Sequence, residues 1–284
     1  MGFVEQPVQI VGAGFEMLGI LSLPAPGTTP HPVGVLVVVG GAQYRVGSHR
    51  QFVRLARHLA ALGHAVLRFD LPGMGDSPGA PLPFEATAPC IAAALDALHQ
   101  QGASTAGAVL WGLCDGASAS LLYVQATQDP RVAGLALLNP WVRSETSLAR
   151  TQVKNYYPQR LRQPDFWRKL LRGGVGWHAL AGLVDRLRHM RQSAPASAGF
   201  QERMAQGWHA FSGPILLLLS ERDLTAQEFL EQARTSPVWR PCLQKTTLSQ
   251  HTMDGADHTC SQPQDQRAVM AHTAQWLRSA FGGR

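Results

Sequence analysis

Short apolar runs alternate along the chain with stretches whose apolar positions recur at helical spacing. Val33–Val39 is a valine-rich run of the kind that forms a strand buried on both faces, as in a parallel sheet. Ala65–Phe69, Ala108–Trp111, Val132–Leu138 and Ile215–Leu219 read the same way, and Thr246–His251 reads as a shorter, more polar strand. Between them, Phe52, Leu55, Ala56 and Leu59 share one helical face, with Ser48 as a cap and Gly63 as a stop. Ile91–Leu98 and Gly116–Gln125 read as helices. Thr225 with Glu228 predicts a capping box for the helix after Ile215–Leu219. Val269, Thr273, Trp276 and Phe281 line a final helix. At the start, Val8–Val11 and Leu18–Leu23 flank a glycine-containing turn and predict a β-hairpin. Strands that alternate with helices imply βαβ units and a parallel sheet, with the antiparallel hairpin at its beginning.

The alternation breaks once. From Trp141 to about Phe211 only helical spacing is seen, as at Leu148, Val153, Tyr156, Tyr157 and Leu161. This stretch reads as an insertion into one α/β sheet. The expected organisation is a core over 1–140, a helical insertion over 141–211, and the rest of the core over 212–284.

Composition changes this picture in two places. The 284 residues are 45% hydrophobic and 15% charged, which excludes a mostly disordered chain. The formal net charge is +6, which invites a nucleic-acid reading. Its distribution argues otherwise. Trp141–Arg191 holds 11 Lys/Arg against 3 Asp/Glu, and the remainder holds 14 against 16. The basicity belongs to the insertion, and with no recognised module beside it no nucleic-acid partner is expected. Arg143, Arg150, Lys154, Arg160 and Arg168 are candidates for meeting an anionic substrate group or an acidic surface. No apolar run approaches the ~18 residues of a membrane-spanning helix. No charged-then-apolar leader opens the chain, and the four cysteines show no CxxC spacing, so a cytoplasmic protein is expected, with peripheral membrane contact left open. Gly12-Ala13-Gly14 lacks the third glycine and the following helix of a dinucleotide loop, and His258-x-Cys260 is too short a pair for a metal. Neither cofactor nor metal is expected.

The chemistry concentrates at Leu110-Trp111-Gly112-Leu113-Cys114-Asp115-Gly116. A buried strand runs into Gly-x-Cys-x-Gly and then a helix, the pattern of a nucleophile elbow with Cys in place of Ser. The glycines permit the tight turn that exposes the nucleophile, and the helix N-terminus favours a thiolate or an oxyanion. An acid after a later strand and a histidine near the end complete that arrangement. Asp223 follows Ile215–Leu219, and His258 precedes the last helix. Glu221, Glu145 and Asp257 are weaker candidates for the acid. The backbone N–H of Asp115 is the expected first oxyanion donor, and Gly41 or Ala42, after the Val33–Val39 strand, the second. Gln43, Trp141 and Arg143 are candidate substrate-binding residues. The Asp115 carboxylate either complements the helix dipole or points toward the substrate, where it would oppose thiolate formation.

With these residues, Arg68-Phe69-Asp70-Leu71-Pro72-Gly73-Met74-Gly75-Asp76-Ser77 looks like the loop after the fourth strand of α/β-hydrolases. The Cys elbow is similar to that of dienelactone hydrolases, which lack the helical insertion. Four runs resemble the exosortase A system-associated hydrolases of type one. They are Gly40–Phe52, Trp111–Gly116, Leu138–Arg143 and Pro164–Leu170. The resemblance implies an α/β-hydrolase fold: a mostly parallel eight-stranded sheet flanked by helices, with a helical cap inserted after the sixth strand. It also implies a bacterial cytoplasmic enzyme that works beside an exopolysaccharide and protein-sorting system.

The expected function is hydrolysis of an ester or thioester by Cys114, His258 and Asp223. The substrate would be a small or a lipid- or sugar-linked acyl compound. Two alternatives stay open: acyl transfer to a sugar or lipid acceptor, and an inactive hydrolase fold that binds a partner or membrane surface through its basic insertion.

Overall fold

The apolar runs become the strands of one sheet: β1 (Phe3–Gly12), β2 (Phe15–Pro24), β3 (Gly34–Val38), β4 (Val66–Phe69), β5 (Ala108–Leu113), β6 (Val132–Leu138), β7 (Ile215–Ser220) and β8 (Leu248–Met253). Their order is β1-β2-β4-β3-β5-β6-β7-β8. β1 and β2 form the antiparallel hairpin, β2 joins β4 antiparallel, and every pairing from β4 to β8 is parallel. The computed structural model describes residues 2–12, 14–40, 43–142 and 199–282.

Period-two geometry sorts each strand's side chains into two layers. Leu36, Val38, Leu110, Leu135, Leu137 and Leu217 face one way and pack with α2 (Ala88–Gln100), α3 (Asp115–Thr127), α4 (Phe200–Ala210) and α5 (Leu224–Thr235). Val35, Val37, Val109, Trp111, Leu216 and Leu218 face the other way, toward α1 (Gln51–Ala61) and α6 (Pro263–Phe281). Both faces of β3, β5 and β7 are covered, which is why these strands are apolar throughout rather than alternating.

The chain divides into one unit of Met1–Val142 with Phe200–Arg284 and a second of Arg143–Gly199. The helices expected over most of the insertion, with Arg143, Arg150, Lys154, Arg160, Arg168 and Glu145, lie outside the described residues. So do the helically spaced positions from Leu148 to Leu161. α4, counted with the insertion in the sequence, belongs to the first unit and packs on α3. Gly207 makes this possible, because a β-carbon there would run into the Leu121 carbonyl.

Two expected helix starts move. Ser48 opens a short 3-10 turn over Ser48–Arg50, and the residue that caps α1 is Arg50, left-handed at φ 61° with no side-chain cap bond. The intervening turn removes the Ser48 hydroxyl from the first free N–H groups of α1. The Thr225/Glu228 capping box gives way to Asp223. That residue is extended (φ −99°, ψ 122°), so its Oδ1 reaches the Thr225 N–H at 2.9 Å.

Candidate active site

Strand β5 ends in a turn too tight for ordinary residues. Cys114, at the N-cap of α3, takes φ 59° and ψ −123°, a conformation that non-glycine residues hold only when the surroundings enforce it. The flanking glycines explain how this fits. A β-carbon at Gly112 would sit 2.5 Å from the Ala117 nitrogen, and one at Gly116 would run into the Val38 carbonyl. The turn is held by its main chain. The Cys114 N–H donates to Leu138 O at 2.9 Å, and its carbonyl accepts from the N–H groups of Ala117, Ser118 and Trp141. The Ser118 hydroxyl donates to Trp141 O at 2.6 Å. Cys114 itself is half-buried, with its side chain presented at the C-terminal end of the parallel strands, where open α/β sheets bind ligands.

Asp223 and His258 come to the same place from β7 and from the loop after β8. Asp223 is buried, 5% exposed, and each of its oxygens has one task. Oδ1 caps α5, and Oδ2 lies 2.7 Å from His258 Nδ1. Capping therefore fixes the carboxylate before any substrate arrives. His258 interacts with Asp223 and with Cys114. Its pKa is pushed up to about 10, first by the hydrogen bond with Asp223 and next by one with the Cys114 thiol, against the opposing effect of burial. Nδ1 is taken by Asp223, so Nε2 is the nitrogen left to meet the sulfur.

The weaker acid candidates have other partners. Glu221 accepts the Gly255 N–H at 2.7 Å, and Asp257 accepts the Thr259 and Ser261 N–H groups at 3.1 and 3.0 Å, closing a local turn. The other three cysteines, Cys90, Cys242 and Cys260, are buried free thiols. Burial pushes them up to about 11, 12 and 11 respectively, so they remain protonated and inert at neutral pH.

Asp115 is the first residue of α3. Its carboxylate lies against Gly40, where a β-carbon would collide with Oδ1. The side chain thus stands at the stem of the loop that carries Gly41 and Ala42, both outside the described residues. Gln43 follows. Its N–H donates to Gly40 O at 3.2 Å, and its Oε1 is buried without a hydrogen-bond partner among the described residues. The loop is anchored further on. The Arg45 N–H donates to Asp70 Oδ1 at 2.6 Å, and the Arg45 guanidinium pairs with Asp70 and Asp76. Trp141 meets the elbow through its main chain. Among the described residues, no group of three or more His, Cys, Asp or Glu side chains converges to hold a metal ion. None of the described helices is long and apolar enough to cross a membrane.

Two contributors are not visible from local pattern. Asn139 and Ser118 join the elbow to the other loops by bonds from side chain to main chain. The one sequence signal for Asn139 is the Asn-Pro pair directly after a strand, which marks a turn and suits a left-handed residue.

The model of the alpha/beta hydrolase family matches residues 35–271. No curated protein matches the chain. Among solved structures, an esterase from Pyrococcus furiosus aligns with TM-score 0.65 at 14% identity, covering 99% of this chain and 94% of that one. A dienelactone hydrolase from Anabaena variabilis aligns with TM-score 0.62 at 14% identity, covering 99% of this chain and 100% of that one. A thermophilic esterase from Thermogutta terrifontis aligns with TM-score 0.58 at 22% identity, covering 97% and 99%.

Proposed function

Because the chain belongs to the alpha/beta hydrolase family, we propose that it is an ester or thioester hydrolase with Cys114 as nucleophile, His258 as acid–base and Asp223 as the orienting acid. One observation carries the reading: the buried Asp223 carboxylate holds His258 Nδ1 at 2.7 Å, at the strand ends where the elbow presents Cys114. The esterases and the dienelactone hydrolase among its structural neighbours support hydrolysis over a binding role.

The chemistry follows from this arrangement. The proton of the Cys114–His258 couple rests on the imidazole, with Nε2 toward the sulfur, and Asp223 holds that imidazolium in place. The sulfur attacks the acyl carbon, and the C–S bond forms as the carbonyl becomes an oxyanion. The Asp115 N–H meets that oxyanion, and the loop of Gly41 and Ala42 supplies the second donor. The imidazolium then protonates the leaving alkoxide or thiolate. Water, deprotonated by His258, attacks the thioester, and Cys114 is released as the acid is freed. The Gln43 Oε1, buried with no hydrogen-bond partner among the described residues, supports a role for that residue in holding substrate. The resemblance to the exosortase A system-associated hydrolases supports work beside a bacterial exopolysaccharide system and brings no substrate with it.

A chromogenic ester assay on Cys114→Ala and Cys114→Ser, with iodoacetamide labelling, tests the assignment. Cys114→Ala is expected to lose both turnover and the labelled peptide. Unchanged turnover in that variant overturns it. Mass-spectrometric trapping of an acyl adduct on Cys114 from lysate then reports the acyl group itself.

A further inference from the structure

We propose that Asn139 is a positioning residue that holds His258 and the Asp223 turn in register over Cys114; this rests on the nucleophile, base and acid assigned above. Asn139 follows β6, is fully buried, and takes a left-handed φ of 48°. That conformation turns its amide across the ends of two other loops. Oδ1 accepts the Ser220 N–H at 2.8 Å. Nδ2 donates to Ser220 Oγ at 3.0 Å and to the carbonyl of His258 itself at 3.2 Å. Both N–H bonds of the amide and its oxygen are thereby used. Ser220 in turn starts the turn to Asp223, whose N–H donates to Ser220 O at 3.2 Å.

The neighbours of Asn139 hold the nucleophile. Leu138 O accepts the Cys114 N–H, and the Trp141 N–H donates to Cys114 O. One four-residue stretch, Leu138–Trp141, therefore touches the loops of all three reacting side chains. A residue needed only to close the β6–β7 end would require the Ser220 bonds alone. The bond to the His258 carbonyl instead fixes the height of the imidazole relative to the sulfur.

Two variants separate these roles. Asn139→Gly keeps the left-handed backbone and removes the amide. Asn139→Asp keeps the shape and the Ser220 N–H bond but loses the donors to His258 and Ser220 Oγ. Each is compared with wild type for kcat, KM, melting temperature and the pH dependence of Cys114 alkylation by iodoacetamide. Loosening the imidazole should lower kcat about 100-fold with little change in KM. The alkylation profile should move to higher pH as the imidazole is displaced from the sulfur. A folded variant with wild-type kcat and an unmoved profile, whatever its melting temperature, overturns the proposal. His258→Ala is the control. If it leaves the alkylation profile unmoved, the triad assignment and this one both fall. If it moves the profile and the Asn139 variants do not, only the role of Asn139 falls.

Discussion

At the scale of residues, the Asp223–His258 pair makes a signed prediction about pH. His258 binds its proton more tightly in the folded chain, with its pKa moved from 6.5 to about 10. Between those values the folded state therefore holds more proton than the unfolded one. Stability from this pair is fully present below about pH 6.5 and is lost as pH rises toward 10. Denaturation midpoints for wild type should fall across that window relative to Asp223→Asn, whose profile should be flatter. The same variant should lose about 10³-fold in kcat, because the imidazole loses its orienting carboxylate. The positions proposed for the triad, Cys114, Asp223 and His258, stand out in the sequence because each lies at the end of a strand or before a helix. Asn139 does not. Its bonds reach Ser220 and His258, 81 and 119 residues away, and no local spacing records them.

At the scale of elements, glycines decide how closely two helices meet. α4 rests on α3 at Gly207, where an added β-carbon would meet the Leu121 carbonyl and stand 3.0 Å from Gln125 Cβ. Gly207→Ala gains about 1 kcal/mol of helix propensity. It also forces a β-carbon into main chain that no rotamer change can clear, which costs about 1–3 kcal/mol. A net loss of stability is expected by chemical denaturation, and a gain would show that the helices separate without penalty. The interior strands were legible because burial on both faces leaves a continuous apolar run. β8 was less so. It runs over Leu248–Met253 at the edge of the sheet, two residues later than Thr246–His251, and its half-exposed side chains blur the pattern. The helix starts shifted for a related reason. Capping depends on which residue turns out of the helical conformation, and Arg50 and Asp223 do so where Ser48 and Thr225 do not.

At the scale of the whole molecule, the layering that makes the fold also sorts its sulfur. Cys90 and Cys242 lie in the core layer that holds α2 through α5, and Cys260 lies in the other. Cys114 alone stands half-buried at the strand ends. Thiol stoichiometry thus becomes a readout of conformation. A brief iodoacetamide pulse on the native protein should add one adduct, and the same pulse in denaturant should add four. The interval between the first adduct and the other three would time the opening of the core, layer by layer, on the unmodified sequence and with no introduced label.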